Sequence, residues 1–291
     1  MRGSRRSHSD RKILSRHAAM VLDPLRTGGL NRAIHKIVKS GDVVCDIGAG
    51  LGLLSYFAIS AGARFVYAID CDGESLGFAA EHARKHDLVD RIAFIEGHSS
   101  NVFLPEKADV IICETIGSAA FDENILATLA DAKKRFLKPG GKIIPSMIEL
   151  WGAPAIFPRP RNKGALIDTA AVSAKKLLGD PKRLVQMVTR TKCGTKIHVR
   201  ERFVIKRDGR LSGIAIWPKI EWAKGSATDA SPLRRTTHWK QCTLPAQASR
   251  VRKGDTIKFE LIIGPDSANP REQTEVLWKL NVQRSSRDLT A

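Results

Sequence analysis

One stretch limits the chain more than any other: residues 41–70, GDVVCDIGAGLGLLSYFAISAGARFVYAID. Val43 and Val44 open a short apolar run that ends in Asp46, and Gly48, Gly50 and Gly52 then crowd a turn. Leu53, Leu54, Phe57 and Ala58 recur at helical spacing, and Phe65 to Ile69 makes a second apolar strand tipped by Asp70. Strand, glycine turn, helix and acid-tipped strand compose a nucleotide-binding βαβ unit. The glycines let the backbone approach a ligand where a Cβ would collide. Asp70 is placed to accept hydrogen bonds from a ribose diol.

A dinucleotide fold spaces its glycines as G-x-G-x-x-G and faces a helix N-terminus to a pyrophosphate. Here the pattern is D-x-G-x-G-x-G, and its opening carboxylate would repel a phosphate. A ligand with an amino group and a ribose but no phosphate fits better, which describes S-adenosylmethionine.

The 291 residues, 43% of them hydrophobic, suffice for a full core and two compact units. No apolar run is long enough to span a bilayer, and MRGSRRSHSDRK lacks the apolar middle of a secretory signal. Residues 1–12 therefore read as a basic disordered tail. Cys45, Cys71, Cys113, Cys193 and Cys242 are odd in number, widely spaced and mostly inside apolar runs. We expect reduced thiols, no zinc site and a cytoplasmic setting.

Charge is uneven along the chain. Residues 41–130 hold fourteen Asp and Glu against five Lys and Arg, a balance of −9 within a total of +18. Residues 159–210 hold fifteen basic and four acidic residues. Such a basic region suits nucleic acid or acidic partners, or is simply a solvated surface. Aromatics make up only 6% of the chain and do not interleave with the cations, so a base-stacking surface is not favoured.

Residues 13–38 read as one or two helices broken near Pro24. His17, Met20, Asp23 and Arg26 are spaced by three and drift slowly around one helical face. Gly73–His86 is a helix, Ile92–Ile95 a third strand, and the following Ser99 or Ser100 either bonds an adenine edge or simply turns the chain. Val110–Cys113 is a fourth strand that delivers Glu114 at its carboxyl end, where open α/β sheets bind ligands. Glu123 falls at the start of the next helix, where an acid also complements the helix dipole. Beyond Pro145 the chain reads as short strands at 197–205, 211–222, 238–243, 256–263 and 275–282, with one helical stretch within 164–188. The fold class is α/β: helices plus a Rossmann-like cofactor domain over 13–145, then a mostly β, barrel-like substrate domain over 146–291.

At this point the sequence resembles the protein arginine methyltransferase family. Four pieces carry the likeness: HAAMVLDPLRT at 17–27, the glycine stretch, ICETIGSAAFDE with acids at Glu114 and Glu123, and Thr237-His238-Trp239-Lys240-Gln241. The resemblance implies that Arg26 pairs with the cofactor carboxylate, with His17 and Met20 near its methionine part. It implies that Asp46, Gly48 and Gly50 line the cofactor, that Asp70 holds the ribose, and that Cys71 lies beside the adenosine. It makes Glu114 and Glu123 the grip on a substrate guanidinium, with an Asp23–His238 dyad beside it. The implied partners are an arginine-containing protein or peptide and a second copy of the chain, docked through an arm at 160–192. A methyltransferase of the same build acting on a small guanidine or amine is the alternative.

The chemistry agrees with that reading. A guanidinium remains protonated near neutral pH, and a sulfonium is cationic too, so catalysis must bring two cations together. Two carboxylates offset the repulsion and accept bidentate hydrogen bonds from the guanidinium fork. Several positions depart from the family pattern. Tyrosines ahead of the first helix are absent, with Ser7 and Arg11 near those places, and Thr115 replaces a tryptophan. Ile125 replaces a methionine, and Ser100 occupies the adenine-binding acid position. Met20 stands where symmetric-dimethylating members have phenylalanine, which favours monomethyl or asymmetric dimethyl products.

Overall fold

The structure, a computed structural model, describes residues 2–158, 168–192, 194–269 and 273–285, and of residues 2–10 the backbone alone. Apolar runs too continuous to face water on either side make the first sheet. Strands β1 (Val43–Ile47), β2 (Phe65–Asp70), β3 (Ile92–Glu96), β4 (Ala108–Cys113) and β5 (Leu137–Ile144) lie in the order β3-β2-β1-β4-β5. Every residue of β1 is buried, and all four pairings are parallel, as expected of a sheet covered on both faces. Helices α3 (Leu53–Ser60), α4 (Gly73–Lys85) and α5 (Ile125–Arg135) connect the strands. Ala79 and Ala83 of α4 and Leu129 and Ala132 of α5 are fully buried.

Two helices precede the sheet, α1 (Arg2–Val21) and α2 (Pro24–Ile37). Pro24 takes the first turn of α2, where its missing N–H is no loss, and the Asp23 side chain caps that turn. The basic tail expected over residues 1–12 is corrected: helical backbone extends from Arg2. No proline stands between Arg2 and Asp23 to stop the helix.

The second unit is built on β10 (Gly209–Ala223), a 15-residue strand that pairs antiparallel with β6 (Met147–Ala155), β11 (Ser226–Asp229) and β12 (Gln241–Val251). Strands β7 (Asp168–Ala170) and β8 (Lys182–Val188) flank this sheet. A second sheet has the order β14 (Thr274–Gln283), β13 (Thr256–Pro265), β9 (Ile197–Val204). Trp217 of the β10 sheet and Phe203, Phe259, Leu261 and Ile263 of the β9-β13-β14 sheet are buried.

The helical stretch expected within 164–188 is also corrected. Among the described residues that segment forms β7, a single 3₁₀ turn at Ala174–Lys176 and β8. Leu177 bridges Ala155 and β8 pairs with β6, so exposed sheet edges recruit a chain whose alanines would favour a helix. Of the arm expected at 160–192, residues 160–167 lie outside the described residues, and the remainder belongs to these strands.

The two units lock together through polar contacts. Trp239 Nε1 donates to the Ile116 carbonyl at 2.6 Å, Ser226 Oγ to Gly29 at 2.7 Å, and Lys133 Nζ to Thr189 at 2.8 Å. Trp222 and Trp239 stack with centroids 6.3 Å apart.

Candidate active site

The strand order turns back between β1 and β4, which puts the glycine turn after β1 beside Glu114 after β4. Their approach is close. Gly48 has φ of +77°, and a Cβ there would meet Thr115 Cγ2 at 2.8 Å, so both conformation and space require glycine. Gly50 donates its amide to Asp70 Oδ2 at 2.7 Å, and Asp70 Oδ1 accepts from Asp72 N at 2.8 Å. His17 reaches down from α1 to share a hydrogen bond with Ser75 Oγ at 2.9 Å. Burial holds its pKa below the usual value, with the Asp72 charge opposing.

Asp46, at the end of β1, is wholly buried. Ser55 Oγ donates to its Oδ2 at 2.7 Å, whereas Oδ1 has no partner. Burial pushes this carboxyl up to about 7, opposed by the Ser55 bond and reinforced by the Asp70 charge. A buried acceptor without a donor fits a ligand that brings an N–H or ammonium group. The adjoining pocket, ≈ 200 Å³, lies between Gly48, Asp70, Cys71, His98, Thr115 and Glu123.

Glu123 lines this pocket, and Glu114 stands at the tip of β4 next to Thr115, which lines it too. Glu114 has 6% of its side chain exposed, and it is bonded by Nη2 of Arg26, itself 9% exposed. Burial raises the Glu114 pKa, and Arg26 opposes that rise. Glu123 opens to solvent at the cleft mouth, with protein on its other sides. Desolvation there pushes its carboxyl up to about 7, with Asp122 and Glu114 adding like-charge repulsion. No hydrogen bond reaches the Glu123 carboxyl among the described residues. Helix α5 starts at Ile125 behind a left-handed Asn124 cap, so Glu123 precedes the helix instead of lying in its first turn.

Asp23 lies at the opposite pole. Its Oδ1 accepts from Leu25 N and Arg26 N at 3.0 and 3.2 Å, and its Oδ2 from His238 N and Nδ1 at 2.9 and 3.0 Å. Burial works against the charge, but these donors prevail and hold the carboxyl below its ordinary value. Burial keeps His238 neutral, against the Asp23 bond, so Nδ1–H donates and Nε2 retains its lone pair.

Comparison with known proteins follows the same division. Residues 27–149 match the family model described as ribosomal protein L11 methyltransferase, and residues 162–284 match the arginine methyltransferase oligomerization subdomain. Protein arginine N-methyltransferase 6 of Xenopus tropicalis is 27% identical over 293 residues, covering 89% of this chain and 86% of that protein. Along most of its length the chain is similar to protein arginine N-methyltransferases, and its second unit matches their oligomerization subdomain. A histone-arginine methyltransferase CARMER of Anopheles gambiae is 29% identical over 93% of this chain, which spans only 49% of that relative. Among solved structures, a Trypanosoma brucei PRMT1 enzyme-prozyme heterotetramer with AdoHcy superposes with a TM-score of 0.78 at 21% identity. It covers 93% of this chain and 98% of that one. Arabidopsis thaliana protein arginine methyltransferase 10 gives 0.77 at 20% identity, over 92% and 97% of the two chains. These structures share the Rossmann-like and barrel architecture.

Family resemblance named most of this cleft, and the structure brings those residues together with two differences. Arg26, expected on a cofactor carboxylate, here bonds Glu114. Ser100, expected at the adenine edge, turns its hydroxyl to His98 Nδ1 at 2.7 Å and to Asn101, and the pocket wall is made by His98 and Ser99. Met20 is half-buried and offers its carbonyl to Thr27 Oγ1 at 3.3 Å. Three roles lay beyond the sequence reading. Ser55 bonds Asp46 one helical turn past the glycines, and Trp239 ties the histidine loop to Ile116. Asp122 packs against Gly117 and accepts from Ala119 N at 3.0 Å, charging the loop beside Glu123.

Proposed function

We propose that this chain transfers the methyl group of S-adenosylmethionine to a guanidinium nitrogen of arginine in a protein substrate. The observation that carries the reading is the Arg26–Glu114 pair. A carboxylate at the tip of β4 already accepts a guanidinium, with a second, donor-free carboxylate at Glu123 beside it. Asp46 with its unpartnered oxygen, Gly48, Gly50 and Asp70 would hold the cofactor, with His17, Met20, Arg26 and Cys71 around it and His98 and Ser99 in the place expected of Ser100. The cofactor supplies an electrophilic methyl group on a cationic sulfonium.

Glu114 and Glu123 hold the substrate guanidinium in one plane by bidentate hydrogen bonds and offset the approach of a second cation. Their grip also concentrates the lone pair on the nitrogen that faces the methyl donor. Positioning for in-line displacement supplies much of the remaining acceleration. The proton released from nitrogen passes to the Glu123 carboxylate or to Nε2 of His238, whose Nδ1–H is fixed by Asp23. The acidic cofactor half, at −9, attracts arginine-rich segments that the +18 protein as a whole would repel.

The protein acts as a cytoplasmic homodimer in this reading, supported by the oligomerization subdomain match over residues 162–284. Sedimentation as a monomer would remove the dimer from it. Incubation with labelled S-adenosylmethionine, an arginine-rich peptide library and free guanidines tests the function, with mass spectrometry locating the label. Label on peptide arginine is expected. Label on free guanidines alone would reverse the choice of substrate class.

A further inference from the structure

A groove of ≈ 910 Å³ that shares no lining residue with the cleft pocket lies over the outer face of the β9-β13-β14 sheet. Strand alternation sends His198, Arg200 and Arg202 of β9, Lys258 and Glu260 of β13, and Lys279 of β14 to this face. Glu260 is taken by His198 Nε2 at 2.6 Å and Arg200 Nε at 3.1 Å. The cationic groups of Arg202, Lys258 and Lys279 have no carboxylate partner among the described residues. Arg202 sits directly opposite Lys258 in the register, and like charges so placed destabilise a sheet. Glu260, the acid opposite Lys279, is already shared by His198 and Arg200, so a face that carries this cost has cationic charge to spare for a polyanion.

We propose that this face binds the phosphodiester backbone of nucleic acid, independently of the methyl-transfer site. Two features favour that occupant over an acidic polypeptide. Strand β13 pairs on both sides, so its backbone is spent, and a peptide lying on the face could not add as a strand. Cations two residues apart along a strand recur about every 6.8 Å, a spacing that a repeating phosphate chain meets with charge alone. Base stacking, which the sparse aromatics disfavour, is not required on this face. Phe259, the aromatic ring nearest the groove, is buried beneath it. Contact is therefore with the backbone and independent of base sequence.

The test is fluorescence anisotropy of a labelled 20-nucleotide single-stranded RNA, titrated with the full chain over a series of salt concentrations. The triple variant Arg202→Gln, Lys258→Gln, Lys279→Gln is compared with a charge-matched triple elsewhere, Lys12→Gln, Arg84→Gln, Lys142→Gln, all exposed in the native chain. We expect the face variant to bind at least tenfold more weakly, with its log–log salt slope reduced by about 2 (roughly 0.7 per lost contact). The control should change less than twofold. Both variants should keep their thermal midpoint, and the face variant should keep methylation of a free peptide if that activity is present. Equal losses in the two triples would reduce the binding to general charge and overturn the proposal. So would poly-L-glutamate displacing the RNA at equal charge concentration.

Discussion

Asp23 and Glu114 lie on either side of Arg26, and their carboxyls are treated in opposite ways. Asp23 accepts four N–H groups and is held below the ordinary range of its type. Glu114 accepts from Arg26 alone among the described residues, Glu123 from nothing, and both are pushed upward. A carboxylate saturated by its own protein has little capacity left for a ligand. It caps α2 and fastens the histidine loop of the barrel to the cofactor unit. A carboxylate starved of donors and crowded by other acids gains most when a cation arrives. The first pole is architecture that positions His238; the second is the place where chemistry is directed.

The difference is broken most severely by Glu114→Gln. This isosteric change keeps shape and removes charge, so cofactor affinity should stay within severalfold while kcat falls about a thousandfold. Arg26 then loses its charge partner, and the thermal midpoint should fall by a few degrees at most. A variant that retained wild-type turnover would end the assignment of this pole.

Acidity sharpens the comparison next. Glu123 must be ionised to hold a guanidinium, and its carboxyl in the ligand-free protein is pushed up to about 7. The profile of kcat/KM, which reports the free enzyme, should therefore rise about tenfold per unit of pH below about 7 and then level. Binding of an arginine peptide lowers that value and releases protons. Calorimetry near pH 6.5 in buffers of different ionisation enthalpy should show the release, and Glu123→Gln should abolish it.

Asp23 should respond in the reverse sense. Its folded value is depressed, so its contribution to stability is complete above the unfolded value and is lost as pH falls through the folded one. Asp23→Ala removes a helix cap worth about 1–2 kcal/mol and also the tether on His238. Chemical denaturation at pH 7 should show that loss. At a pH low enough to protonate Asp23 in the native protein, the gap to wild type should narrow.

The same contrast explains how far the sequence was legible. Spacing alone marks β1, its glycine turn and the acids at strand ends, because a parallel sheet buried on both faces writes itself as continuous apolar runs. Asp23 and His238 are 215 positions apart, and no local pattern pairs them; resemblance to a family did. The alanine-rich segment near residue 174 misled because local propensity favours a helix while the open edges of β6 and β12 recruit strands. The bond between Arg26 and Glu114 was not legible either, since it depends on which partner is nearest in three dimensions.

The smallest effect tests whether Asp46 belongs with the starved pole. It has one donor, Ser55 Oγ, and one buried oxygen with none, and its carboxyl is pushed up to about 7. Because the folded value exceeds the unfolded one, the native state retains a proton that the unfolded chain releases as pH rises above about 4. Stability therefore declines across that window and levels once the folded carboxyl has ionised. Ser55→Ala removes a bond that favours the ionised form, moves the folded value higher, and should extend the decline into more alkaline solution. The extra loss at pH 8 should be on the order of 1 kcal/mol by denaturant titration, a single charge-assisted hydrogen bond. A cofactor amino group donating to Asp46 should cancel much of it, so saturating S-adenosylmethionine should bring the two pH profiles together. Profiles that stayed apart with ligand bound would place Asp46 with the architecture, alongside Asp23.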